Sequence, residues 1–404
     1  MSSVPTAIKE RLKADMGLIA LAEASRADIE RNRQAIERGR GRGGDPKTCI
    51  WFVPEFSHVL KGGLRTIFAA AERMTQRWGT RHTFVVFSFT GRDFDAVPIE
   101  KGLATHFPSL AFSVRKFLRG AHDVADLPEA DIGVCTLWTT AYLLLKHNKV
   151  SRKYYFLQDF EPVFYAGGSV SAVIEATYRF GFTCIANSYG VAQCYRRYSH
   201  DVTAFAPGLD LDVFHPPTAR PQAGPRRVVF YGRPTNDRNA FGLGLDVLRR
   251  VKAIMGDGVV IQSVGAAWDE AEFDVEGVIE NLGLLQTLQE VGDLYREADL
   301  GLVFMLSAHP SYQPLEYMGC EAVVATNVNE HNAWLLQHDR NCVALNPVPG
   351  AAAEEITALL ADEERMARLK AGGRATVAAL SWDRAYDVIL GALAGDKDGL
   401  GQGR

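Results

Sequence analysis

No apolar run in this sequence approaches the roughly 18 residues that a membrane-crossing helix requires. The opening residues, MSSVPTAIKERLKADMG, also lack the apolar centre of a secretion signal, so the expected location is the cytoplasm. Cysteine is scarce. Cys49, Cys135, Cys184, Cys194, Cys320 and Cys342 form no CxxC pair, which argues against a zinc site and reads as small buried hydrophobes in a reducing compartment. The ten histidines show no HExxH spacing, and Asp210-Leu211-Asp212 lies in a linker among apolar neighbours, so neither a metal site nor a cofactor is expected. There is no Walker A motif, no GxGxxG fingerprint and no repeat of solenoid length. A net charge of -4 gives no general attraction to nucleic acid.

What is present is an ordinary globular composition, 47% hydrophobic and 23% charged, in a chain of 404 residues, too long for one core. Residues 1–45 stand apart. They carry Lys9, Arg11, Lys13, Arg26, Arg31, Arg33, Arg38, Arg40 and Arg42 and end in a Gly/Arg stretch. Ala22, Ile29 and Ile36 recur every seven residues, which predicts one helix face. Such an extension can pack on its own domain, on a second subunit as a homo-oligomer, or on anionic lipid as a peripheral contact at the inner membrane face. Glu23, Asp28, Glu30 and Glu37 dilute the basic signal of the last reading.

From residue 46 apolar strand-like runs alternate with helical patterns: 49–54, 63–78, 82–89, 131–138, a helix to about 147, 153–160, a helix near 170–180, 182–188 and 202–208. A Pro-rich polar segment, 209–225, reads as a linker. A second α/β run follows, with strands at 227–234, 259–265, 277–283, 299–306, 322–327 and 342–347. Its helices fall at about 240–254, 287–297, from 313, near 330–337 and through 350–395. Continuous apolar strands between helices predict parallel sheets covered on both faces. The expected fold is α/β, with two Rossmann-like domains facing across a cleft. These are residues 46–207 and 208–380, after a helical extension over 1–45 and before a crossing helix and tail over 381–404.

Four constellations fall at strand ends. Lys61-Gly62-Gly63 opens a helix after the first strand, and glycines there let backbone approach a diphosphate, although the same residues also make an ordinary turn. Arg233 and Arg238 follow the first strand of the second domain. They can stabilise the charge that develops on a departing diphosphate, or lie as solvated surface arginines. In His309-Pro310-Ser311-Tyr312-Gln313-Pro314-Leu315-Glu316, Pro314 suits a helix start and Glu316 falls in the first turn. There it can accept ribose hydroxyls or merely complement the helix dipole, while the Ser311–Tyr312 backbone can hold phosphate. Gly283 and Leu284 form an apolar turn suited to the face of a nucleobase or to a simple connection.

In that order these residues resemble the second domain of retaining GT-B glycosyltransferases. Gly232-Arg233 with Arg238 matches the family's Gly-Arg and basic residue, and 207–216 resembles its entry to the second domain. Ser381-Trp382-Asp383-Arg384 resembles the start of its crossing helix. Two positions depart from the pattern. Ala308 stands where the family often has a first glutamate, and Gln158-Asp159 stands near its usual first-domain histidine, which implies Gln158 or Asp159 as the residue on the acceptor or sugar side. The runs YYFLQDFEPVFYAGGS and HPSYQPLEYMGCEAVVATN are similar to bacterial rhamnosyltransferases that build surface polysaccharide such as O-antigen. The resemblance implies a metal-independent transferase moving L-rhamnose from dTDP-L-rhamnose to a glycan or lipid-linked glycan, with retention. Arg233 and Arg238 would hold diphosphate, Glu316 ribose, and Gly62 and Gly63 complete the phosphate cradle. A catalytically silent module binding glycan or nucleotide, and a nucleotide-sugar epimerase using Asp159 and Glu161, are the alternatives.

Overall fold

The apolar runs become strands of two parallel sheets in the computed structural model, which describes residues 5–56, 58–60, 62–219 and 224–395. The chain divides into two compact units, Met1–Phe205 with Ala385–Arg404, and Ala206–Arg384. Unit 1 begins with α1 (Thr6–Ile19), α2 (Arg26–Gly39), β1 (Thr48–Pro54), α3 (Gly63–Trp78), β2 (Arg81–Ser88), α4 (Val97–His106) and β3 (Phe112–Leu118). It continues through β4 (Ala130–Cys135), α5 (Trp138–Lys146), β5 (Val150–Leu157), α6 (Ser169–Thr177), β6 (Thr183–Asn187), α7 (Tyr189–Tyr195) and β7 (Val202–Phe205). Among the described residues its strands lie in the order β3-β2-β1-β4-β5-β6-β7, each neighbouring pair parallel.

Unit 2 runs through β8 (Arg226–Tyr231), α8 (Phe241–Met255), β9 (Val259–Val264), β10 (Glu280–Asn281), α9 (Leu288–Glu297), β11 (Leu300–Val303) and α10 (Gln313–Gly319). It ends with β12 (Val323–Thr326), β13 (Val343–Ala344), α11 (Pro349–Ala361) and α12 (Glu363–Ala378), and α13 (Trp382–Ala394) carries the chain back into unit 1. Its sheet order is β10-β9-β8-β11-β12-β13, also parallel. Strand order therefore reverses between β1 and β4 in one unit and between β8 and β11 in the other. Such a reversal opens a crevice at the carboxyl ends of the strands.

The strands read as continuous apolar runs because both faces of each sheet are covered. In unit 2, Val228, Phe230, Leu300, Leu302, Val323 and Ala325 join one buried cluster, and the intervening Val229, Val303 and Val324 join the cluster on the other face. The six cysteines are buried and form no disulfide among the described residues.

Several elements differ from the expectation. The strand expected over 277–283 shrinks to Glu280–Asn281, and 330–337 is a series of turns held by Asn329 and Asn332 instead of a helix. Edge strand β3 has no apolar run, since only Phe117 is buried along it and Arg115 and Lys116 are exposed, as suits an edge that must resist further pairing. The extension is two helices, and its heptad positions do not form the packed face: Ile29 is 49% exposed. The buried residues of α2 are Asn32, Ala35 and Gly39, because α2 approaches β5 closely. A Cβ at Gly39 would lie 1.9 Å from the Ser151 carbonyl oxygen. Asn32 donates to the Phe180 carbonyl at 2.8 Å and accepts from the Lys153 Nζ at 2.8 Å, so α2 is fastened to its own unit by polar contacts.

Candidate active site

In unit 2 the loop after β8 and the loop after β11 flank the sheet's reversal. They are stitched together: the Leu306 N–H donates to the Arg238 carbonyl at 2.7 Å, and Asn239 Nδ2 donates to the Phe304 carbonyl at 3.1 Å. Asn327, past the end of β12, grips Met305 through both backbone groups at 2.7 and 2.8 Å. The strand tips thus present a fixed rim.

Arg233 and Arg238 are half-buried on this rim. Arg233 donates to the Tyr231 hydroxyl at 3.2 Å. Burial pushes that hydroxyl above its ordinary pKa; the charge and hydrogen bond of Arg233 pull it back, Glu316 pushes it up again and Arg238 pulls it down. Arg233 thus contacts this phenol directly, and Arg238 and Glu316 act on it through their charge. Glu316 sits in the first turn of α10, its N–H bonded to the Tyr312 carbonyl at 3.1 Å, with Pro314 in the opening turn. Ala308, where a second carboxylate would stand, is 4% exposed.

The turn at Ser311 differs from the expectation. Ser311 has φ +69°, and its N–H donates to His309 Nδ1 at 2.9 Å, so that donor already has a partner; its hydroxyl bonds the Gln313 side chain. Tyr312 is half-buried beside the His309 ring, 5.2 Å between centroids. His309 is buried, and burial with the nearby Arg238 charge lowers its pKa to about 3. It is neutral, with Nδ1 accepting and the proton assigned to Nε2. Gly283 makes its turn at φ +70°, its N–H donating to Asn281 Oδ1 at 3.1 Å, and Leu284 projects with 68% exposure.

In unit 1 the residues after β5 tie together loops from three other strands. Gly62 turns at φ +45°, and Gly63 opens α3; Lys61 lies outside the described residues. A Cβ at Gly63 would meet Gln158 Cδ at 2.8 Å, so a larger residue here would push the Gln158 side chain aside. Gln158 donates to the Gly63 carbonyl at 3.2 Å and accepts from Asn187 Nδ2 at 3.1 Å, linking the ends of β1, β5 and β6. Asp159 is buried, and its Oδ1 accepts the Phe160 N–H at 2.7 Å. Glu161 is 2% exposed, and its Oε2 accepts from the Trp138 N–H at 2.7 Å and the Tyr155 hydroxyl at 2.9 Å. Burial raises its pKa to about 8 against those two bonds, with Asp159 adding to the rise.

Of the residues named from sequence, Arg233, Arg238 and Glu316 fall at strand ends of unit 2, and Gly62, Gly63, Gln158 and Asp159 fall at strand ends of unit 1. Sequence reasoning gave no role to Tyr231, His309 or Asn327. Their signal was only position, a polar side chain at or just past the end of an apolar strand.

Residues 226–357 match the family described as WsaF, C-terminal domain. Over 367 residues the chain is 40% identical to the O-antigen biosynthesis protein RfbC of Myxococcus xanthus, covering 89% of this chain and 28% of that protein. The chain thus spans little more than a quarter of that relative. Among solved structures, Anabaena Alr3699/HepE in complex with UDP has a TM-score of 0.66 at 15% identity, over 86% of this chain and 99% of that one. Sucrose-phosphate synthase from Thermosynechococcus elongatus gives 0.65 at 14%, over 86% and 98%. TarM of S. aureus gives 0.65 at 9%, over 85% and 98%. With two Rossmann-like parallel sheets and these neighbours, the fold class is that of GT-B glycosyltransferases.

Proposed function

We propose that the chain is a glycosyltransferase of polysaccharide biosynthesis that takes a hexose from a nucleotide-sugar donor. The observation that carries this reading is the placement of Arg233 and Arg238 in the loop after β8 and of Glu316 at the start of α10 after β11, on the two strands that flank the reversal of the unit 2 sheet. A nucleoside diphosphate needs what that rim offers: fixed cations for the phosphates, a carboxylate for ribose hydroxyls and an uncovered apolar side chain, Leu284, for the base. Support also comes from a relative named for O-antigen biosynthesis and a structural neighbour holding UDP.

The finer reading is transfer of L-rhamnose from dTDP-L-rhamnose, without a metal and with retention. Buried Ala308 supplies no carboxylate to a sugar hydroxyl, which is compatible with a 6-deoxy sugar. The bond from anomeric carbon to phosphate oxygen breaks, the acceptor oxygen bonds that carbon on the same face, and the acceptor proton passes to the leaving diphosphate. Arg233 and Arg238 stabilise the charge that forms.

The test is a thermal-shift panel of nucleotide sugars on the parent and Glu316→Ala, followed by transfer assays. One donor should stabilise the parent selectively, and Glu316→Ala should weaken that donor about tenfold or more. Equal stabilisation of both proteins overturns the ribose assignment. Selective donor binding without transfer or hydrolysis would favour the catalytically silent module that Ala308 keeps in view.

A further inference from the structure

Helix α1 has no buried residue along its 14 positions. An isolated helix of that length is marginal in water, since most helical stability comes from packing an apolar face. α1 rests on α6 through its C-terminal half, with Leu18 and Ile19 half-buried, but leaves an apolar face part-open: Ile8, Leu12 and Met16 are 40%, 47% and 68% exposed. At four-residue spacing each step drifts only about 40° around the axis, so the three make one stripe. Lys9 and Lys13, both exposed, border the stripe on one side; on the other edge half-buried Asp15 comes first and exposed Arg11 lies beyond it. The end of the helix is anchored. Leu21 is buried, and Arg119 bonds both the Ala20 carbonyl and the Glu23 carboxylate, the latter at 2.7 Å. A pinned helix presenting apolar residues beside an exposed lysine pair, Lys9 and Lys13, matches a surface with an apolar interior and an anionic boundary. Among the described residues no helix is long and apolar enough to cross a membrane, so the contact would lie in the interface plane.

We propose that α1 is an interfacial helix, seating Ile8, Leu12 and Met16 at the headgroup–acyl boundary of a bilayer containing anionic phospholipid, with Lys9, Arg11 and Lys13 at the level of the phosphates. The inference is independent of the donor chemistry. It gives the extension a role that α2, which binds its own unit, does not fill.

The experiment is co-sedimentation of the full chain with vesicles of phosphatidylcholine alone and of phosphatidylcholine mixed with phosphatidylglycerol. The parent should bind the mixed vesicles, bind phosphatidylcholine weakly and release as salt rises. Lys9→Glu/Arg11→Glu/Lys13→Glu should lower affinity for the mixed vesicles by about a hundredfold or more. Leu12→Ala/Met16→Ala should lower it roughly fivefold per side chain, since each is already partly covered. The altered positions are exposed, so melting temperature should hold in both variants, and this is measured alongside. No binding of the parent to mixed vesicles, or equal binding by parent and variants, overturns the proposal. So does a parent dimer that Leu12→Ala/Met16→Ala dissociates in the absence of vesicles, which would make a second copy the occupant.

Discussion

Replacing Glu161 with glutamine tests the junction that carries Gln158 and Asp159. The native carboxyl is enclosed, and burial holds its pKa at about 8 although the Tyr155 hydroxyl and the Trp138 N–H both bond to Oε2. An unfolded chain releases that proton near 4.5. Between those values the native state holds a proton the unfolded state has lost, so this group's contribution to stability falls as pH rises from 4.5 and levels off above about 8. At about 1.4 kcal/mol per pKa unit the full effect is on the order of 5 kcal/mol. Glutamine keeps an oxygen for Trp138 and Tyr155 and cannot ionise. In urea titrations followed by tryptophan fluorescence, Glu161→Gln should match the parent near about pH 5 and exceed it by a few kcal/mol near about pH 9. Parallel pH profiles for the two proteins would mean the carboxyl is already ionised in the native state, and the junction would then owe nothing to a retained proton.

Other outcomes follow from the same structure. Arg238→Ala should lower the transfer rate by two to three decades, about 2–4 kcal/mol in the transition state, and parental kcat would remove its role in charge stabilisation. Gly63→Ala forces Gln158 away and should cost about 1–3 kcal/mol of stability, measured by urea unfolding, unless Gln158 can swing clear. Lys153, whose pKa burial lowers to about 7 from 10.5, binds its proton less readily folded than unfolded, so its contribution rises with pH across that window. Lys153→Met should flatten that rise and also lose about 1–3 kcal/mol by stranding Asn32, Asn148 and the Leu144 carbonyl, both read from unfolding curves.

Much of the α/β order was legible because buried parallel strands must be apolar on both faces. Val228 to Tyr231 and Leu300 to Val303 announce themselves without reference to their neighbours. β3 was not legible, since an edge strand with Arg115 and Lys116 carries no such run. The two-residue β10 is shorter than any pattern can mark. The heptad in the extension misled because α2 meets β5 through close backbone approach at Gly39 and a bond network at Asn32, and neither contact leaves an apolar period.

At the site, the legible residues were those whose charge has no use inside a single strand-to-helix turn. Arg233, Arg238 and Glu316 stand at strand tips, where the proposed donor gives the arginines a diphosphate and Glu316 a ribose to meet. The illegible ones are neutral. Asn239 reaches Phe304, Asn327 reaches Met305, and Gln158 reaches Gly63, each across a separation that sequence spacing does not encode. These amides bond backbone groups of one loop from another. The two in unit 2, Asn239 and Asn327, therefore fix where the charged groups of that unit stand. A rim built this way can change its ligand by replacing a few charged or apolar side chains while the neutral clamps stay. Donor preference should accordingly follow positions 308 and 284, and affinity for the diphosphate should follow 233 and 238.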